Sequence, residues 1–172
     1  MSLWQRMPPN LIESQILVSG GAFKMKHQFG SEEPKTRFFF ILKNPQEDQR
    51  LFLLTTTTEV RRRKRRFRHD AEALVVVTRS EYDSLDQTSL VDCGMPVVIP
   101  KSDVVAEVSK HEVQPLPRLP NSLLKRLCNA VSRSKRLTSN QKRLVLGEEE
   151  SIDLTSSTTT ESQNEEGEGQ QH

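Results

Sequence analysis

Two short apolar runs, 38–42 (Phe-Phe-Phe-Ile-Leu) and 51–54 (Leu-Phe-Leu-Leu), stand out from the polar chain around them. Each is too short for an independent helix and rich in strand-favouring residues. Residues 43–50 between them are polar and include Pro45, so the pattern predicts an antiparallel hairpin with a somewhat long turn. Such pairing brings Arg37, at the start of the first strand, to the same sheet end as Thr55, Thr56, Thr57 and Thr58, which close the second. Upstream, 15–19 reads as a first strand stopped by Gly20 and Gly21, and 22–29 alternates weakly, as a half-buried strand does. Downstream, 73–78, 89–93 and 95–99 read as further strands, with a capping-box turn from Thr78 to Glu81 and a bulge or bend at Gly94. Residues 101–108 predict a helical turn or more, and 114–120 (Gln-Pro-Leu-Pro-Arg-Leu-Pro) a stiff extended linker. Asn121 or Ser122 then caps a helix carrying Leu123, Leu124, Leu127, Cys128 and Val131 on one face. A second helix, capped by Ser139 or Asn140, carries 144–146.

Five to seven short strands followed by helices predict a mainly β fold with C-terminal helices, built on a small, strongly bent antiparallel barrel or half-barrel. The expected organisation is a flexible N-terminus over 1–13, where Pro8 and Pro9 oppose regular structure, then the barrel over 14–118. A helical extension over 119–146 and a disordered acidic tail over 147–172 complete it.

Charge sharpens the last boundary. The formal net charge is +2, yet Glu148, Glu149, Glu150, Asp153, Glu161, Glu165, Glu166 and Glu168 follow Gly147 with no Lys or Arg among them. Removing those eight charges leaves +10 on residues 1–147, and a basic body selects a polyanionic partner. The tail reads as a solubilising appendage or, more sharply, as an RNA mimic folded over the basic residues. The densest of these are Arg61, Arg62, Arg63, Lys64, Arg65, Arg66 and Arg68, expected to form a solvated, mobile loop that grips phosphates. Phe67 within the run offers base stacking.

No apolar run approaches the ~20 residues that span a bilayer, and the N-terminus lacks the apolar core of a secretory signal. A cytoplasmic protein with no membrane contact is expected. Cys93 and Cys128 could pair, but read better as reduced core thiols. The four histidines (His27, His69, His111, His172) are scattered without metal-ligand spacing, so neither metal nor cofactor is expected.

The stretch Arg37-Phe-Phe-Phe-Ile-Leu, the polar turn, Leu51-Phe-Leu-Leu-Thr-Thr-Thr-Thr, then Leu74-Val-Val-Val-Thr-Arg-Ser-Glu-Tyr82 and Thr88-Ser-Leu-Val-Asp-Cys93 resemble the MazF/PemK-like toxins. The likeness is greatest to relatives with a C-terminal helical extension, which 119–134 resembles, and it covers roughly 16–146. It implies an SH3-like barrel, a homodimer, and metal-independent cleavage of single-stranded RNA restrained by a partner antitoxin. In that family an arginine before the second core strand and a threonine after the next form the catalytic pair. Carried over by position, these are Arg37 and Thr57, with Thr58 next. Two departures stand out: Phe38 occupies the place of the toxins' usual proline, and Ile16-Leu-Val-Ser-Gly20 replaces their opening Gly-Asp-hydrophobic signature.

RNA is cut without a metal when its own 2′-hydroxyl attacks the adjacent phosphorus in line. A guanidinium grips the phosphate bidentately, giving Arg37 the right chemistry, and the Thr57 hydroxyl orients a reacting group. Neither titrates near neutral pH. Histidine is the side chain suited to proton transfer at that pH, which makes His27 and His69 the candidate acid and base. The competing reading is a non-catalytic nucleic-acid-binding or protein-interaction module on the same barrel. In its blandest form Arg37 is a solvated edge residue and the threonines are simply good strand formers.

Overall fold

The two apolar runs form adjacent strands in which Phe39 to Leu42 and Leu51 to Leu54 are buried and Phe38 is half-buried, because both faces of the hairpin are covered. The computed structural model describes residues 3–43 and 49–147. A 3-10 turn (Leu3–Arg6) leads into α1 (Pro9–Ile16), followed by strands β1 (Ala22–His27), β2 (Lys35–Ile41) and β3 (Arg50–Thr57). Helix α2 (Val60–Arg66) and a 3-10 segment (Arg68–Ala73) precede β4 (Leu74–Val77), β5 (Ser89–Asp92) and β6 (Val97–Pro100). Helix α3 (Lys101–Ser109), strand β7 (Val113–Leu116), α4 (Asn121–Arg133) and α5 (Ser139–Leu146) follow.

The seven strands make one antiparallel, open sheet in the order β4-β5-β3-β2-β1-β7, with β6 also paired to β3. Strand β3 therefore divides its outer edge: Arg50 to Leu53 pair with β6, and Thr56 and Thr57 with β5. Side chains alternate across a strand, so Phe39, Ile41, Leu51 and Leu53 pack with Ile12 and Ile16 of α1 and Val104 and Val108 of α3. Phe40, Leu42, Phe52 and Leu54 face the other way, towards Leu123, Leu127 and Val131 of α4 and Val145 of α5. Burial on both faces is why these strands read as continuous apolar runs rather than as alternating ones.

Several expectations are corrected. The segment 1–13, expected to be flexible, contributes most of α1, and 15–19 is not a strand but the end of that helix and the turn after it. Pro9 occupies a first-turn position, where its missing N–H removes no bond, and Ile12 and Ile16 are one helical turn apart and fully buried. Gly21 then lets the chain reverse, since a Cβ there would strike the Ile16 carbonyl. The run 61–68 is not a loop but α2 and the start of the following 3-10 segment. Part of the 114–120 linker is β7, whose Pro115 sits on a sheet edge where its absent donor breaks no ladder. Pro120 precedes α4 with no side-chain cap, and Thr138, one residue before the expected cap, closes a capping box with Gln141 on α5. Both cysteines are free, Cys93 buried and Cys128 half-buried. The hairpin turn at 44–48 and the acidic tail beyond Gly147 lie outside the described residues. No described helix is long and apolar enough to cross a membrane.

Candidate nucleic-acid interface

Phe39 pairs with Thr55 across β2 and β3, and two residues further along this register stand Arg37 and Thr57. A cleft of about 580 Å³ opens at this end of the sheet. The hairpin lines it with Arg37 and Thr55 to Thr58, and Arg62, Arg63 and Arg66 of α2 line it from the side. Phe29, Glu32 and Lys35 contribute from before and at the start of β2, and Asp86, Gln87, Ser89 and Asp92 from around β5.

Arg37 is mostly buried and held from two directions. Its Nη2 donates to Glu32 Oε2 at 3.0 Å, and its guanidinium lies 4.5 Å from the centre of the Phe29 ring. An aromatic face on one side and a carboxylate on the other fix the plane of the fork. Two buried polar atoms of the lining, Arg37 Nε and Thr55 Oγ1, have no hydrogen-bond partner among the described residues. Leaving such groups unmet costs about 1–3 kcal/mol each, so they mark where a ligand oxygen is welcome. Thr57 Oγ1 accepts from the Glu59 N–H at 3.2 Å, which leaves its own proton free to donate.

The basic run becomes a helix because of a partner far along the chain. Arg136, between α4 and α5, lies 4.2 Å from the centre of the Phe67 ring at the end of α2. Its Nε donates to Asp70 Oδ2 at 2.7 Å, and its two terminal nitrogens donate to both oxygens of Asp92. Asp70 also accepts from Ser134 Oγ at 2.9 Å and the Lys135 N–H at 2.8 Å. Burial alone would raise the Asp70 pKa, but the Arg136, Lys135 and Ser134 hydrogen bonds hold it below the ordinary carboxylate value. Arg63 approaches Asp92 at 3.8 Å, and Arg63 and Arg66 also lie near the Phe67 ring. One guanidinium from the helical extension thus joins α2, β5 and the cleft wall. Gly94 belongs to the same junction, since a Cβ there would collide with the Arg136 guanidinium.

Other expected site residues fall elsewhere. Neither His27 nor His69 lines the cleft. His27 ends β1 with its ring edge-on to Phe29 and Phe39, and burial, then the Arg37 charge, lower its pKa. His69 is exposed beside Phe67. Of the basic run, Arg62, Arg63 and Arg66 reach the cleft, while Arg61, Lys64, Arg65 and Arg68 do not.

The sequence reading missed the carboxylates. Glu32 pairs with Arg37, Glu59 with Arg62 at 3.1 Å, Asp92 with Arg63 and Arg136, and Asp86 with Lys24 at 3.5 Å. The cleft is therefore a compensated mixture of charges rather than a positive trough. Asp92 carried a signal, since an acid between Leu90-Val91 and Cys93 in an apolar strand requires a buried cation. Glu32, in a polar loop, carried none. Among the described residues no three His, Cys, Asp or Glu side chains cluster closely enough to hold a metal ion. No protein-family model matches the sequence, and no curated protein matches it.

Proposed function

We propose that the protein binds single-stranded RNA in this cleft and cleaves it by attack of the substrate's own 2′-hydroxyl, in the manner of the MazF/PemK-like toxins it resembles. The observation that carries this reading is the meeting of Arg37 and Thr57 with three arginines of α2 around one cleft. An SH3-like barrel is the matching fold reading. Within the sheet the run β6-β3-β2-β1-β7 sets the last strand beside the first, as in a small sheet curling towards closure.

A phosphate seated on Arg37 would displace Glu32 and satisfy the unpartnered Nε. The 2′-hydroxyl gives its proton to water as its oxygen bonds to phosphorus, and the 5′-oxygen leaves taking a proton from water, giving a 2′,3′-cyclic phosphate and a 5′-hydroxyl end. Arg37 neutralises charge growing on the phosphate oxygens, and the Thr57 hydroxyl donates to one of them.

A second reading, RNA binding without cleavage, is favoured by a specific observation: neither His27 nor His69 lines the cleft, and a carboxylate already holds Arg37. End-labelled single-stranded RNA incubated with the full chain in EDTA separates the two. Cleavage to cyclic-phosphate ends, slowed about 10²–10³-fold by Arg37→Ala, is the outcome expected of the first reading. Binding that leaves the RNA intact selects the second, and absence of binding removes both. On the same resemblance we read the chain as a cytoplasmic homodimer restrained by an antitoxin. Sedimentation of the purified chain and co-purification of a small acidic partner test that part.

A further inference from the structure

The cations of the basic helix fall into two rows. Arg62, Arg63 and Arg66 line the cleft and share one side of α2. Arg61, Lys64 and Arg65 follow the i, i+3, i+4 spacing of another side, and Arg68 continues it just past the helix end. The two rows differ in compensation. Arg62 is paired with Glu59 and Arg63 with Asp92, and Arg63 and Arg66 lie near the Phe67 ring. Arg61, Lys64, Arg65 and Arg68 are exposed, and their side chains form no hydrogen bond or ion pair with any described residue. Like charges at these spacings destabilise an isolated helix, so four of them without a counter-charge call for an external anion.

We infer that this outer row is a second phosphodiester track: an RNA strand leaving the cleft crosses α2 and continues along its outer side, held through backbone charge without base readout. The inference rests on the RNA reading of the cleft for the strand's route. A phosphodiester strand fits better than an acidic polypeptide because the same short helix carries both rows, so one continuous polyanion engages both. Among the cleft cations of α2, Arg62 and Arg63 have carboxylate partners in Glu59 and Asp92, whereas no outer-row side chain has one among the described residues. Three of the four side chains are guanidiniums, matched to paired phosphate oxygens.

The test measures affinity of the full chain, across a salt series, for two unstructured RNAs of about 4 and about 16 nucleotides. The variant replaces the outer row together: Arg61→Gln, Lys64→Gln, Arg65→Gln and Arg68→Gln. For the longer RNA, log affinity against log salt is expected to lose about 3 from its slope, near 0.7 per released phosphate contact on a single strand. Binding of the shorter RNA is expected to stay unchanged. Arg62→Gln with Arg66→Gln weakens both RNAs, and Arg65→Gln alone removes about 0.7 from the longer RNA's slope. An unchanged slope for the longer RNA in the four-site variant overturns the inference. So does polyglutamate binding that depends on the outer row while RNA binding does not. Failure of the cleft reading looks different: the short RNA does not bind, while the longer one still binds through the outer row.

Discussion

Arg37 sits between the aromatic face of Phe29 and the carboxylate of Glu32, with His27 close enough for its charge to matter. The same guanidinium that suits a phosphate therefore also disfavours a second cation beside it. Burial is the larger cause of the lowered His27 pKa and the Arg37 charge the smaller, so the folded protein holds this ring neutral more firmly than the unfolded chain does. The sign follows by linkage. Where the unfolded chain binds the proton and the folded one does not, stability rises with pH, so it is lost as pH falls below the ordinary histidine value of 6.5. The thermal midpoint of the wild type is expected to drop between neutral pH and about pH 5.5, and His27→Gln to flatten that part of the curve. The measurement is a pH series of thermal unfolding on both proteins. An identical slope in the variant would show that this ring does not titrate in the window. His27 does not line the cleft and bears on it indirectly, through the Arg37 charge and through its ring contact with Phe29.

Helix α2 shows how an element can depend on a residue some seventy positions away. Seven cations in eight residues repel one another, and among the described residues the local offsets are the Glu59–Arg62 ion pair and the Phe67 ring beside Arg63 and Arg66. The helix is anchored at its C-terminal end, where Phe67 carries Arg136 on its face and Arg136 in turn holds Asp70 and Asp92. Arg136→Ala leaves both carboxylates buried without their main counter-charge, a loss of about 3–5 kcal/mol. Urea unfolding should register this as a lower midpoint at unchanged slope, and Arg136→Lys should recover only part of it because an ammonium cannot make the three-nitrogen fork. A loss below about 1 kcal/mol would mean the network is incidental. This dependence explains what the sequence left hidden. A charge run reads as a solvated loop when its partners lie in a different helix pair, and α1 was missed because two prolines outweighed the Ile12–Ile16 spacing. The hairpin was legible because its burial is two-sided and its register follows from antiparallel pairing alone. Thr138 escaped by a single position, although Thr138 and Gln141 have capping-box spacing and Ser139 does not.

At the scale of the molecule, the cleft gathers side chains from Phe29 to Val97, and its balance of charges was beyond a reading of neighbouring residues. The placement of Arg37 and Thr57 needed only strand pairing; the four carboxylates that compensate the cleft needed the whole fold. Net charge is different, because it acts through the solvent and is legible without any fold. The full chain carries a formal +2 and residues 1–147 carry +10. Truncation after Gly147 keeps that glycine at the end of α5, and its oxygen, now part of the terminal carboxylate, still accepts from Lys43 Nζ, so the folded body is preserved. The truncated chain then presents its full positive field to a polyanion. Its affinity for single-stranded RNA is expected to exceed that of the full chain several-fold at about 0.01 M salt, where fields extend roughly 30 Å. The two affinities should converge near 1 M salt, where the range shrinks to roughly 3 Å. Filter binding across that series decides the matter. A gap that persists at high salt would point to direct competition for the cleft by residues 148–172, and no gap at low salt would show that their eight carboxylates do not act on the body at all.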